Sequence, residues 1–166
     1  MFLWPIASFS YYMINYEMQF LDGNLYSTTM VSSVSDTFSG FLSIIIVVKF
    51  GAKLSMIISY LLAILGSVLY LIFSSSHPSI VPLTIMIAKM GVACTFNIVY
   101  VFTAFLFPTQ LNATAYGLSN ITARTATILA PLAAEISNPY PVIIVIVLSC
   151  VGFFAVLLIK EVRVKK

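Results

Sequence analysis

Six apolar runs, each close to the roughly 20 residues that a membrane-crossing helix needs, leave this chain few ways to fold. They cover residues 2–20, 26–48, 54–73, 80–105, 114–135 and 141–160. Short turn-forming stretches part them, such as Asp22-Gly23-Asn24, Ser74-Ser75-Ser76-His77-Pro78 and Ser137-Asn138-Pro139. None is long enough to link separate domains. The expectation is therefore one all-α, polytopic domain over residues 1–166 with six transmembrane helices. Outer-membrane strands would alternate in polarity over about ten residues, and no segment does so. Charged residues make up 8% of the chain, against about a quarter in soluble domains. The first run lacks a basic region ahead of it and a small-residue cleavage site after it, so it reads as a helix and not as a signal peptide.

Charge placement orients the helices. Lys49 and Lys53 stand between the second and third runs; Lys160, Arg163, Lys165 and Lys166 follow the sixth. An even number of crossings puts both groups on one side, and the excess of lysine and arginine marks that side as cytoplasmic. The opposite loops hold Asp22 and His77 but neither lysine nor arginine. The net charge of +3 does not point to nucleic acid, because the bases gather at loop ends. Cys94 and Cys150 fall within apolar runs and read as small hydrophobes, with no disulfide expected. One loop histidine, no paired carboxylates and no phosphate-binding glycine loop argue against an enzyme, a metal or cofactor site, and ATP-driven pumping.

Two ions sit where lipid would surround them. Arg124 is near the middle of the run from Thr114 to Glu135, some 15 Å from either end at about 1.5 Å per residue. A guanidinium at that depth costs about 2.5–3.5 kcal/mol unless something polar receives it. It either faces a wet cavity or clamps backbone carbonyls or an acid on another helix. Gly117, Asn120, Thr127 and Pro131 share its face. Asp36 centres a stripe of Thr29, Ser32, Ser33, Ser39, Gly40 and Ser43 in the second run. Small residues alone mean close packing, but a carboxylate at mid-depth needs a partner or water. The first run sets Ser8, Tyr11 or Tyr12, Asn15 and Gln19 on one side; the fourth aligns Lys89, Phe96, Asn97 and Tyr100. Such aromatics either pack or hold the rings and ions of an organic solute. Lys89 is read as snorkelling outward, pairing with Glu17 or Glu135, or serving the site.

These residues resemble a known family. Phe107-Pro108-Thr109, Gly117, Ala123-Arg124 and Ile128-Leu129-Ala130-Pro131 are similar to the eleventh helix of the organic cation, anion and carnitine transporters of the major facilitator superfamily. Trp4 with Tyr11-Tyr12 resembles the seventh helix, Asp36 with Phe41-Leu42-Ser43 the eighth, and Ala88-Lys89-Met90-Gly91 with Phe96 and Tyr100 the tenth. The resemblance runs over nearly the whole chain. It implies the carboxy-terminal half of a twelve-helix carrier, built as two three-helix inverted repeats in which the second and fifth helices correspond. The expected partners are a small organic ion, the lipid bilayer (of the plasma membrane), and a missing amino-terminal six-helix half or a second copy.

The resemblance also implies roles. Arg124 would meet a substrate carboxylate, Asp36 an ammonium or a proton, and Tyr11, Tyr12, Phe96 and Tyr100 the apolar body, with Asn120 and Lys89 beside them. Arginine at the position of Arg124 favours an organic anion or carnitine-like zwitterion over a simple cation. Lys49, Gly51 and Lys53 fit the family's cytoplasmic gating turn. Its acids and one of its bases are replaced by Val48, Phe105 and Asn112, so the alternative is a non-transporting membrane protein or degenerate half-carrier acting as an assembly partner.

Overall fold

A computed structural model of the protein describes residues 2–19, 25–74, 80–136 and 139–159. Asp22, His77, Lys160, Arg163, Lys165 and Lys166 lie outside the described residues, as does the side chain of Gln19. The described chain is helical throughout: α1 (Leu3–Gln19), α2 (Leu25–Phe50), α3 (Ala52–Phe73), α4 (Val81–Leu106), α5 (Thr109–Thr127), α6 (Ala130–Ala134) and α7 (Tyr140–Leu158). The protein is an all-α, polytopic membrane protein. Within α2, α3, α4 and α7 lie spans long and apolar enough to cross a bilayer. The other two expected spans differ for a physical reason. Helix α1 is short, and α5 is rich in threonine and other polar residues. They pack on each other, with Ala115, Ser119 and Ala123 of α5 buried and Thr114, Thr122, Arg124 and Thr125 left exposed.

The fifth expected run is broken. Pro131 lacks the N–H that would reach the Thr127 carbonyl, and its ring crowds that carbonyl. Ile128 N keeps the ordinary bond to Arg124 O at 3.2 Å, and Leu129 N shifts to Ala126 O, three residues back, at 3.2 Å. Arg124 thus lies in the last turn of α5, where unpaired carbonyls favour a cation, and not midway along one continuous helix.

Contacts between helices follow a simple scheme. Helices α1 and α4 touch at the centre; α2 and α3 pack on α4, while α5 and α7 pack on α1. Exchanging α1 with α4, α2 with α5 and α3 with α7 maps one set onto the other, the correspondence expected of two repeats. The tightest seam is α3 on α4. A Cβ on Gly66 would come within 2.2 Å of Ala88 N, and one on Gly91 within 2.3 Å of Ala63 N. Two Ala-x-x-Gly steps therefore face each other head to tail, letting the backbones touch. The chain reverses between α2 and α3 through a single non-helical residue, Gly51, at φ +80°. A side chain would strain that conformation, although there is open space beside it.

Candidate functional site

The charged and aromatic residues of α1, α2, α4 and α5 form one connected layer. Helix α1 supplies the link. Tyr11 and Tyr12 are successive residues, so they leave the helix about 100° apart and reach different neighbours. Tyr11 donates its hydroxyl to Asp36 Oδ2 on α2 at 3.1 Å. The Tyr12 hydroxyl accepts from Arg124 Nη1 on α5 at 3.2 Å. Their rings meet edge to face at 5.6 Å.

Lys89 does not snorkel, and its ion pair is with neither Glu17 nor Glu135. It is 1% exposed, and its ammonium lies 3.2 Å from Asp36 Oδ2. It also donates to the Ser32 carbonyl at 3.3 Å and to the Ser32 hydroxyl. The reason lies in α2: Ser32 and Asp36 are about one turn apart on one face, and α4 packs against that face. Glu17 receives the Tyr70 hydroxyl at 3.5 Å elsewhere in the bundle. Asp36 Oδ1 is buried without a hydrogen-bond partner among the described residues, so the carboxylate keeps unused accepting capacity there.

Aromatic rings continue the layer. Tyr11 stacks on Phe96 at 5.1 Å, Phe96 meets Tyr100 edge-on at 5.3 Å, and Tyr100 contacts Trp4 at 4.3 Å. Trp4 is held by its indole N–H donating to Thr103 Oγ1 at 2.7 Å. Tyr116 closes the row, stacking on Tyr100 at 6.2 Å and donating its hydroxyl to the Tyr100 carbonyl. Tyr116 was not singled out in the sequence; its signal was a bulky ring set between Ala115 and Gly117 on a polar helix. The buried side of α5 is Ala115, Ser119 and Ala123, one small residue per turn, which brings α5 close enough for Arg124 to reach α1. Asn120 is half-buried one turn before Arg124 and makes no side-chain hydrogen bond to the described residues. Among the described residues no cluster of three or more His, Cys, Asp or Glu could hold a metal ion.

The expected gating turn stands apart from this layer. Lys49 is exposed, while Lys53 donates to the Leu157 carbonyl at 3.3 Å and the Ile159 carbonyl at 2.5 Å. Lys53 thereby caps the carboxy-terminal end of α7, and this bond puts the α2–α3 turn and the end of α7 on the same side. Lys53→Met keeps the stem and removes the ammonium. It is expected to lower stability by about 1–2 kcal/mol and to speed amide exchange at residues 155–159 while leaving α2 protected.

In chemical terms the layer offers a guanidinium bonded to a neutral hydroxyl, a carboxylate with a free oxygen, and ring faces between them. No family model matches the chain. Curated proteins do. Solute carrier family 22 member 13 of Homo sapiens is 29% identical over 130 residues, covering 78% of this chain and 24% of that protein. Solute carrier family 22 member 6 of Rattus norvegicus is 26% identical over 139 residues, covering 84% and 25%. Organic anion transporter 3 of Mus musculus is 29% identical over 133 residues, covering 78% and 24%. The chain thus spans about a quarter of the length of these relatives. The homologues of this chain include members of solute carrier family 22 and an organic anion transporter.

Proposed function

We propose that this chain forms the carboxy-terminal six-helix half of a carrier for small organic ions, working by alternating access. All six helices cross the membrane, α5 and α6 together as one kinked span, with the α2–α3 turn and the end of α7 in the cytoplasm. The carrier acts at the plasma membrane, and the other half or a second copy completes it. The observation that carries the reading is Arg124. It is exposed from the bundle, and its hydrogen bond goes to the uncharged Tyr12 hydroxyl. A cation so placed accommodates a carboxylate. An organic anion or a zwitterion of carnitine type therefore fits better than a simple cation. Tyr11, Tyr12, Phe96 and Tyr100 take its apolar body, Asn120 lies beside Arg124, and Asp36 receives an ammonium or a proton on Oδ1. Binding that differs in strength between inward- and outward-facing states shifts their populations, and nothing chemical happens to the solute.

Arg124→Ala tests this. A charge-assisted hydrogen bond is worth about 1.5–3 kcal/mol, so uptake of a labelled aromatic carboxylate by the complete carrier should fall roughly ten- to hundred-fold at unchanged surface expression. Unchanged uptake would remove Arg124 from the site.

A second reading, a non-transporting assembly partner, draws support from the inner face. Val48, Phe105 and Asn112 occupy positions where the resemblance expects charges, and Lys53 is engaged by backbone carbonyls. Liposomes containing the chain with its partner half, and taking up no labelled organic ion, would favour it.

A further inference from the structure

Every ring of the layer other than Tyr11 and Tyr12 stands on one side of the ions. The contacts fix the helix directions. Trp4 meets Thr103 and Tyr11 meets Phe96, so α1 and α4 run antiparallel. Trp4 meets Tyr116 and Tyr12 meets Arg124, so α1 and α5 run parallel. Trp4 precedes Tyr11, Phe96 and Tyr100 follow Lys89, and Tyr116 precedes Arg124. All four rings therefore lie towards the start of α1 and the end of α4, which gives the layer a charged end and an aromatic end.

A fixed group of rings closes the aromatic end. Trp4 lies 4.3 Å from Tyr100 and 5.7 Å from Tyr116, and Tyr100 and Tyr116 are 6.2 Å apart, centroid to centroid. Rings at these distances are in direct contact and admit nothing between them. Trp4 is buried and gives its indole N–H to Thr103, while Tyr116 gives its hydroxyl proton to the Tyr100 carbonyl. Neither ring swings aside without losing that bond, and neither has its donor left for a solute. Beside Tyr116, Gly117 is exposed, and a Cβ on it would meet nothing within 4 Å. The surface of α5 is thus open next to the ring.

Spacing along α5 turns this closure into a length. Tyr116 and Arg124 are eight residues apart, with Asn120 between them on the same face, a rise of about 12 Å. Both side chains tilt towards the start of the helix, so the separation carries over to the ring and the guanidinium. A solute whose carboxylate meets Arg124 has that distance before its far end meets Tyr116. A second carboxylate at the far end would shed water and find the Trp4 and Tyr116 donors already committed, which is costly.

Resting on the reading of Arg124 as the partner of a carboxylate, we propose that Tyr116 is a specificity-determining residue that floors the site. The solutes taken are then monocarboxylates whose apolar tail reaches no more than about 12 Å from the carboxylate, and dicarboxylates of that length are refused.

The test is displacement of labelled benzoate from the complete carrier by acids of graded length. Phenylbutyrate falls within the limit and phenyloctanoate exceeds it; suberate is an aliphatic dicarboxylate about as long as phenylbutyrate. In the wild type, phenyloctanoate and suberate should each bind at least about ten-fold more weakly than phenylbutyrate. Tyr116→Ala should raise phenyloctanoate binding at least about ten-fold while leaving benzoate little changed. Tyr116→Phe keeps the ring and should keep the limit. Tyr116→Trp works in the opposite direction, weakening phenylbutyrate, and tests the limit even where the alanine protein does not fold. A length profile that neither Tyr116→Ala nor Tyr116→Trp shifts would overturn the proposal, as would suberate binding as tightly as phenylbutyrate; both results leave Arg124 in the site. Benzoate binding indifferent to Arg124→Ala would instead remove the carboxylate's partner, and the limit measured from it would fall as well.

Discussion

Asp36→Ala is expected to destabilise the bundle by about 3–5 kcal/mol, the range for a buried ion pair that loses one partner. The loss comes mostly from what remains. Lys89 is 1% exposed and cannot reach water without moving α4. Without the carboxylate, its ammonium keeps only Ser32 as a hydrogen-bond partner. In thermal unfolding followed by size exclusion, the midpoint should drop on the order of 10 °C. Lys89→Met alone should cost less, because Asp36 is 33% exposed and can be hydrated. Combining Asp36→Ala with Lys89→Met should restore much of the stability, since removing both ions removes the stranded charge. A double variant as unstable as the two singles added together would show that the ions act separately. Tyr11→Phe sharpens the result: it deletes the 3.1 Å hydrogen bond to Oδ2 and keeps the ring stacked on Phe96, so a loss of about 1 kcal/mol is expected.

The residues of this layer were visible in the sequence because charge at membrane depth is conspicuous. Asp36 and Arg124 stood out in runs otherwise free of acids and bases at that depth, and Phe96 and Tyr100 shared a helical face with Lys89. The partners were not visible. Spacing along one helix fixes which residues share its face, but carries nothing about the register between helices, so Lys89 could be assigned to Glu17 or Glu135 as readily as to Asp36. Backbone acceptors leave no trace in a sequence either, and Lys53 turns out to bond the Leu157 and Ile159 carbonyls. Pro131 was in plain view within the fifth run. Its effect on Arg124 became clear only once the hydrogen-bond shift placed that residue in the last turn of α5. Glycines were the hardest to read: Gly40, Gly66, Gly91 and Gly117 look alike in sequence, yet two face open space and two face backbone.

That contrast yields the largest expected structural effect. A Cβ on Gly91 would lie 2.3 Å from Ala63 N, 2.7 Å from Ala63 Cα and 2.9 Å from Leu62 C. These are backbone atoms of α3 and cannot rotate away as a side-chain tip could, so the two helices must part by more than about 1 Å to regain van der Waals distance. Gly91→Ala should therefore cost about 1–3 kcal/mol despite the better helix propensity of alanine, and Gly91→Leu should abolish the folded bundle. Gly66→Leu should do the same, because its Cβ would meet Ala88 N at 2.2 Å. At Gly117, where a Cβ meets nothing within 4 Å, alanine removes the glycine penalty and should raise stability by up to about 1 kcal/mol. Fluorescence-detected size exclusion separates the cases: a single peak for Gly117→Ala, and aggregate alone for Gly91→Leu. The seam also holds α4 in place, and α4 carries Lys89, Phe96 and Tyr100. A Gly91→Ala protein that still folds should therefore show weakened contacts at those residues, although none of them touches the substituted position. Intact binding of an aromatic anion in Gly91→Ala, alongside a lowered unfolding midpoint, would show that the layer tolerates movement of α4 and that its geometry is set by α1 alone.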